Sequence, residues 1–78
     1  MKDIKKTLKN KLEKLKDGEI DKVYKKLNTV MSNLKISKGR KITILLSEIT
    51  ENKDDMAGIQ VGDLENAIKI VIKERKNK

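Results

Sequence analysis

The 78-residue chain contains no cysteine, histidine, proline, tryptophan or phenylalanine. Without cysteine it can form neither a disulfide nor a thiolate metal site. Because it also lacks histidine, the commonest general base and the strongest nucleophile at neutral pH are both missing, and we expect a protein that is not an enzyme. No glycine-rich phosphate loop is present, so no cofactor is implied.

A metal site would have to use carboxylates. The acidic residues between positions 51 and 65 lie close together in the sequence, but they match no calcium-loop spacing, and we expect no metal site there. These residues are Glu51, Asp54, Asp55, Asp63 and Glu65.

Aromatic residues are almost absent, since Tyr24 is the only one in the chain. The core must therefore be built from isoleucine, leucine, valine and methionine, without the large buried area that aromatic rings contribute. A chain of this length sits near the lower limit of independent stability. The sequence therefore leaves both a monomer and a homodimer open.

Long apolar runs are also missing. No segment approaches the length needed to span a membrane. The first eleven residues, MKDIKKTLKNK, are charged throughout and contain no apolar stretch typical of a secretory signal. Together with the lack of cysteine, this predicts a cytoplasmic location.

Positive charge is abundant but unevenly placed. The chain has 20 basic and 12 acidic residues, for a formal net charge of +8. Residues 1–16 carry a net +5, residues 51–66 a net −4, and residues 67–78 a net +4. A basic body with one acidic segment favours an anionic partner such as nucleic acid.

The first half of the chain predicts two helices. Residues 19–34 repeat apolar side chains at the i, i+3, i+4, i+7 spacing of an amphipathic helix, which is the clearest periodic signal in the sequence. Residues 2–16 carry a narrower apolar stripe. The pair Asp17 and Gly18 predicts a turn between them, and hence a helical hairpin, with one long bent helix as the alternative. The second helix should stop near residues 34–36, before a loop at residues 37–40.

The second half is ambiguous. Residues 41–49 and 67–73 fit both the alternation of a strand and the spacing of a helix, but β-branched side chains dominate the clearest stretches, and such residues favour a sheet. Residues 56–61 (MAGIQV) can supply a middle strand. We therefore predict an α+β fold in which the N-terminal helical hairpin packs on a three-stranded antiparallel meander. The alternative is an all-α chain of four short helices.

In the α+β interpretation the chain is a single small domain over residues 1–78. The helical hairpin occupies residues 1–36, the sheet-forming half occupies residues 40–75, and a basic tail follows at residues 76–78. The helix over residues 19–34 would cover the apolar face of the sheet and leave a polar, basic face open.

That open face predicts a non-enzymatic, DNA- or RNA-binding module that contacts phosphates. Base stacking is not expected, because the only aromatic side chain lies on a core-facing stripe. Binding would therefore depend on phosphate contacts. The candidate nucleic-acid-binding residues are Lys38, Arg40, Lys41, Lys69, Lys73 and Arg75.

The alternative function is docking on a partner protein. A small chain without catalytic residues also suits an inhibitor or adaptor, of the kind that mobile elements encode, whose partner presents an acidic surface or a hydrophobic groove. Salt-sensitive binding to nucleic acid distinguishes the two hypotheses.

Overall fold

The computed structural model describes residues 3–51 and 56–77. Four α-helices follow one another along the chain: α1 (Ile4–Glu13), α2 (Asp17–Ser32), α3 (Lys38–Ile49) and α4 (Val61–Lys76). The described residues contain no β-strand. The predicted three-stranded meander, and with it the sheet-forming half over residues 40–75, is therefore wrong. The all-α alternative of four short helices agrees with the structure.

Helical spacing decides which side chains are buried in α3 and α4. In α3 the buried residues are Leu45, Leu46 and Ile49, while Ile44, which the helical pattern could not place, is only half-buried. In α4 the corresponding outlier, Ile70, is 49% exposed. Because burying a helical apolar stripe outweighs the modest preference of β-branched residues for sheets, both segments are helices.

The segment predicted as a middle strand instead connects α3 to α4. Met56 and Ile59 anchor this connection in the core, and the Ile59 amide donates a hydrogen bond to the Met56 carbonyl at 3.1 Å. Gly58 between them has φ +89°, a left-handed conformation that glycine adopts without strain. Most of the predicted turn at residues 50–55, including Asp54 and Asp55, lies outside the described residues.

The junction between α1 and α2 lies three residues earlier than the sequence suggested. A connection at residues 14–16 joins the two helices, and Asp17 and Gly18 belong to the first turn of α2 instead of forming the turn. The side chain of Glu19 accepts a hydrogen bond from the Lys16 amide at 3.0 Å. This contact satisfies a backbone donor that a helix start otherwise leaves free.

The helix predicted over residues 19–34 is confirmed as α2. Its buried side chains are Ile20, Val23, Leu27 and Val30, which follow the predicted apolar series. The helix ends at Ser32, so Leu34 falls outside it and is 94% exposed.

The loop predicted at residues 37–40 is mostly helical. The hydroxyl of Ser37 accepts a hydrogen bond from the Arg40 amide at 3.3 Å and caps the start of α3. Lys38, Gly39 and Arg40 therefore form the first turn of that helix.

Helix α4 is the centre of the packing, because it contacts α1, α2 and α3. The molecule is flattened, with extents of 36 × 32 × 19 Å. Its core is entirely apolar within the described residues. The buried side chains are Leu8, Leu12, Ile20, Val23, Leu27, Val30, Leu45, Leu46, Ile49, Met56, Ile59, Leu64, Ile68, Val71 and Ile72. No helix in the described part of the chain is long and apolar enough to cross a bilayer.

Candidate nucleic-acid interface

The six residues predicted to bind nucleic acid fall into two groups. Lys38, Arg40 and Lys41 lie at the start of α3, and Lys69, Lys73 and Arg75 lie in α4. The two groups flank opposite halves of α2. The start of α3 follows the end of α2 after a five-residue connection, whereas the last turns of α4 lie beside the first half of α2. The structure does not bring all six together.

Arg75 differs from the other five because its guanidinium is engaged inside the molecule. Its Nη1 atom lies 2.9 Å from an Asp17 carboxylate oxygen. Its Nη2 atom donates to the backbone carbonyls of Leu12 and Glu13, each at 3.3 Å, and to that of Leu15. The side chain is only 23% exposed. Arg75 therefore holds the junction between α1 and α2 against the end of α4.

The chemistry of a helix end explains this contact. The last carbonyls of α1 have no partner within their own helix and carry partial negative charge. A guanidinium suits them because it presents several N–H donors in a fixed plane. Arg75 is two residues beyond Lys73, which rotates it by about 200° around a helix and onto a different face.

The remaining charges between α1 and α4 are also paired. Lys5 Nζ lies 3.7 Å from Asp63, and Lys9 Nζ lies 3.4 Å from Glu74. These pairs border a shallow groove whose apolar lining includes the half-exposed Ile70. We call this side of α4, with its paired charges, the α1 flank.

The opposite side of α4 carries three exposed lysines, Lys69, Lys73 and Lys76. Their i, i+4, i+7 spacing places them on one helix face. They border an open groove against α2, which we call the Tyr24 groove. It is lined by Tyr24, Lys69, Ile72, Lys73, Lys76 and Asn77. None of these lining residues is acidic.

Helix α2 adds three more exposed lysines beside this groove. Lys22, Lys25 and Lys26 line a second shallow groove between α2 and α3, together with Thr29 and Glu48. We call the combined surface the lysine face, formed by Lys22, Lys25, Lys26, Lys69, Lys73 and Lys76.

Few carboxylates neutralise the lysine face. Lys69 Nζ lies 3.5 Å from Glu65, one turn away on the same helix. Lys73 and Lys76 form no ion pair with any residue in the described ranges, and the same holds for the three lysines of α2. The result is a concentration of like charge on two adjoining helices.

The start of α3 is a separate basic region. Lys38 and Arg40 are exposed and Lys41 is half-buried. Ser37 already accepts one of the free amides of this helix end. These residues line none of the grooves that border the lysine face.

Sequence reasoning missed most of the lysine face. Lys76 was assigned to a tail, although it ends α4, and Lys78 lies outside the described residues. The lysines of α2 were expected only to face solvent. A helical interpretation of residues 61–76 would have grouped Lys69, Lys73 and Lys76 by their spacing. Their proximity to α2 depends on tertiary packing and has no signal in the sequence.

Metal chemistry and relatives add no further assignment. Within the described residues, no group of three or more acidic side chains is placed to hold a metal ion. The candidate interface is therefore defined by the charge and geometry of this chain. In comparisons with protein-family models, curated proteins and solved structures, nothing matches the chain.

Proposed function

We propose that this chain is a non-enzymatic module that binds nucleic acid by contacting phosphates with the lysine face. The observation that supports the proposal is the grouping of six exposed lysines on two packed helices, five of which have no ion-pair partner within the described residues. Lysine contacts to phosphates position a protein on nucleic acid without selecting a sequence. The proposed binding is therefore weakly sequence-dependent.

The lysine face is a better candidate than the complete set of residues predicted from the sequence. Arg75 would have to abandon three carbonyls and Asp17 in order to reach a phosphate. Lys38, Arg40 and Lys41 stay a separate prediction, because the structure places them beside the other half of α2. Lys69 and Lys73 belong to both the predicted set and the lysine face.

Docking on a partner protein has weaker support. The large apolar side chains that the described residues expose are Leu34 and Ile70. They lie in different elements, one between α2 and α3 and the other in α4. Single exposed apolar residues are normal on soluble proteins, whereas interaction surfaces present contiguous patches.

Salt dependence of binding tests the proposal. We expect fluorescence anisotropy to detect binding of the full chain to labelled DNA at 50 mM salt. If all six lysines contact phosphates, the plot of log affinity against log salt should have a slope of about −5, and affinity should fall by about a thousandfold between 50 and 200 mM salt. Failure to bind either duplex or single-stranded DNA or RNA at 50 mM salt would refute the proposed function.

A further inference from the structure

The single aromatic residue of the chain lies at the centre of the proposed interface. The sequence suggested that Tyr24 belongs to the core, but its side chain is only half-buried. One part packs against the core, and the remainder lines the Tyr24 groove beside Lys69, Lys73 and Lys76. An aromatic ring bordered by cations combines the two features of single-strand binding sites.

We propose that the Tyr24 groove receives one unpaired base, so that the lysine face binds single-stranded in preference to duplex nucleic acid. This inference rests on the proposed function above and adds the class of nucleic acid. The exposed part of the Tyr24 ring contacts the base, and the lysines of α4 contact the phosphates on either side of it. Ile72 supplies an apolar wall to the groove.

The shape and charge of the groove favour this occupant. Lys69 and Lys76 are seven residues apart, which separates them by about 10 Å along α4. This row of cations runs beside the ring and suits a strand that follows the groove. A base in a duplex is already paired and stacked, so it cannot reach a ring at the bottom of a groove unless the duplex opens. Unpaired bases carry no such restriction.

The composition of the chain makes the test specific to this site. Because the chain has one tyrosine and no tryptophan, its intrinsic fluorescence reports on Tyr24 alone. A mixed-sequence single strand of 20 nucleotides, as DNA and as RNA, should quench this emission on binding at 50 mM salt. The 20-base-pair duplex should leave it unchanged at equal saturation. Free tyrosine amide at the same oligonucleotide concentrations corrects for absorption by the bases.

Two substitutions separate stacking from phosphate contact. Tyr24→Phe keeps a ring and should retain single-strand affinity within about twofold. Tyr24→Leu keeps an apolar side chain but removes the ring, and should lower single-strand affinity by about fivefold or more while duplex affinity stays unchanged. Circular dichroism verifies that both variants keep their helices. The fluorescence test uses the unaltered chain, so it does not depend on the folding of either variant.

The outcomes distinguish this inference from the proposed function. If single strands bind with steep salt dependence but neither quench Tyr24 nor bind Tyr24→Leu more weakly, the base-binding groove is wrong and phosphate binding stands. Equal quenching by duplex and single strand would also overturn it. If no nucleic acid binds at 50 mM salt, both proposals fail together.

Discussion

The two sides of α4 use charge in opposite ways. On the α1 flank, Lys5 and Lys9 face Asp63 and Glu74, and Arg75 is bound to Asp17 and to backbone carbonyls. On the side facing α2, lysines gather next to lysines. One helix thus carries a neutralised surface and a concentrated positive one.

The difference teaches which cations are structural. Opposite charges in contact serve the fold, because each partner is satisfied within the molecule. Like charges on adjoining helices contribute nothing favourable to folding and repel one another, so they suit an anion from outside. Net charge alone cannot separate these roles, because Arg75 and Lys76 are neighbours in the sequence and belong to different sides of α4.

The largest effect on stability should come from Arg75. Replacing it with alanine removes three contacts to carbonyls and the contact to Asp17, and should lower the free energy of unfolding by about 2–3 kcal/mol. Urea denaturation followed by circular dichroism measures the loss. Arg75→Lys should recover only part of it, because an ammonium group does not reproduce the planar set of donors.

Lys76→Ala, at the next position of α4, is the matched control. It removes one positive charge from an exposed site and should change the free energy of unfolding by less than about 0.5 kcal/mol. Equal losses for Arg75→Ala and Lys76→Ala would remove the distinction between the two sides of the helix.

The next largest effect should be on affinity. Changing Lys69, Lys73 and Lys76 together to glutamine should weaken binding to single-stranded DNA by about tenfold or more at 100 mM salt. It should also reduce the steepness of the salt dependence by about three, since each lost phosphate contact removes about one. Fluorescence anisotropy at several salt concentrations measures both quantities.

Two further triple variants carry the same change in net charge. Changing Lys6, Lys14 and Lys35, which are exposed elsewhere, should lower affinity by less than about threefold through long-range attraction alone. Changing Lys38, Arg40 and Lys41 tests the start of α3. A larger loss in either variant than in the α4 variant would move the interface away from the lysine face.

The smallest effect should come from the ion pairs of the α1 flank. Changing both Lys5 and Lys9 to glutamine should alter the free energy of unfolding by less than about 1 kcal/mol, because exposed ion pairs contribute little. Its salt slope for DNA binding should match that of the unaltered chain. A slope reduced by about two would place both lysines on phosphates and contradict the account.

The sequence was sufficient to predict α2, because one periodicity dominates residues 19–34. It failed for α3 and α4, where the apolar residues satisfy two periods at once. The choice was made on β-branched content, which is a weaker influence than burial. Ile44 and Ile70 held the useful information, since the helical pattern leaves them out of the core and the structure leaves one half-buried and the other half-exposed.

The candidate site was partly predictable. The preference for an anionic partner, and the choice of Lys69 and Lys73, came from composition and local pattern and stay predictions. The role of Arg75 could not be anticipated, because its partners at the end of α1 lie about 60 residues away in the sequence. The position of Tyr24 beside α4 likewise follows from packing between two helices that are distant in the sequence.

Amide chemical shifts test the central claim most directly. In a two-dimensional NMR titration of the ¹⁵N-labelled chain with a 20-nucleotide single strand at 50 mM salt, the largest shifts should fall in residues 22–26 and 69–76. The amides of Lys5 and Lys9 on the α1 flank should move little. Shifts centred on α1, or on residues 38–41, would contradict the assignment of binding to the lysine face.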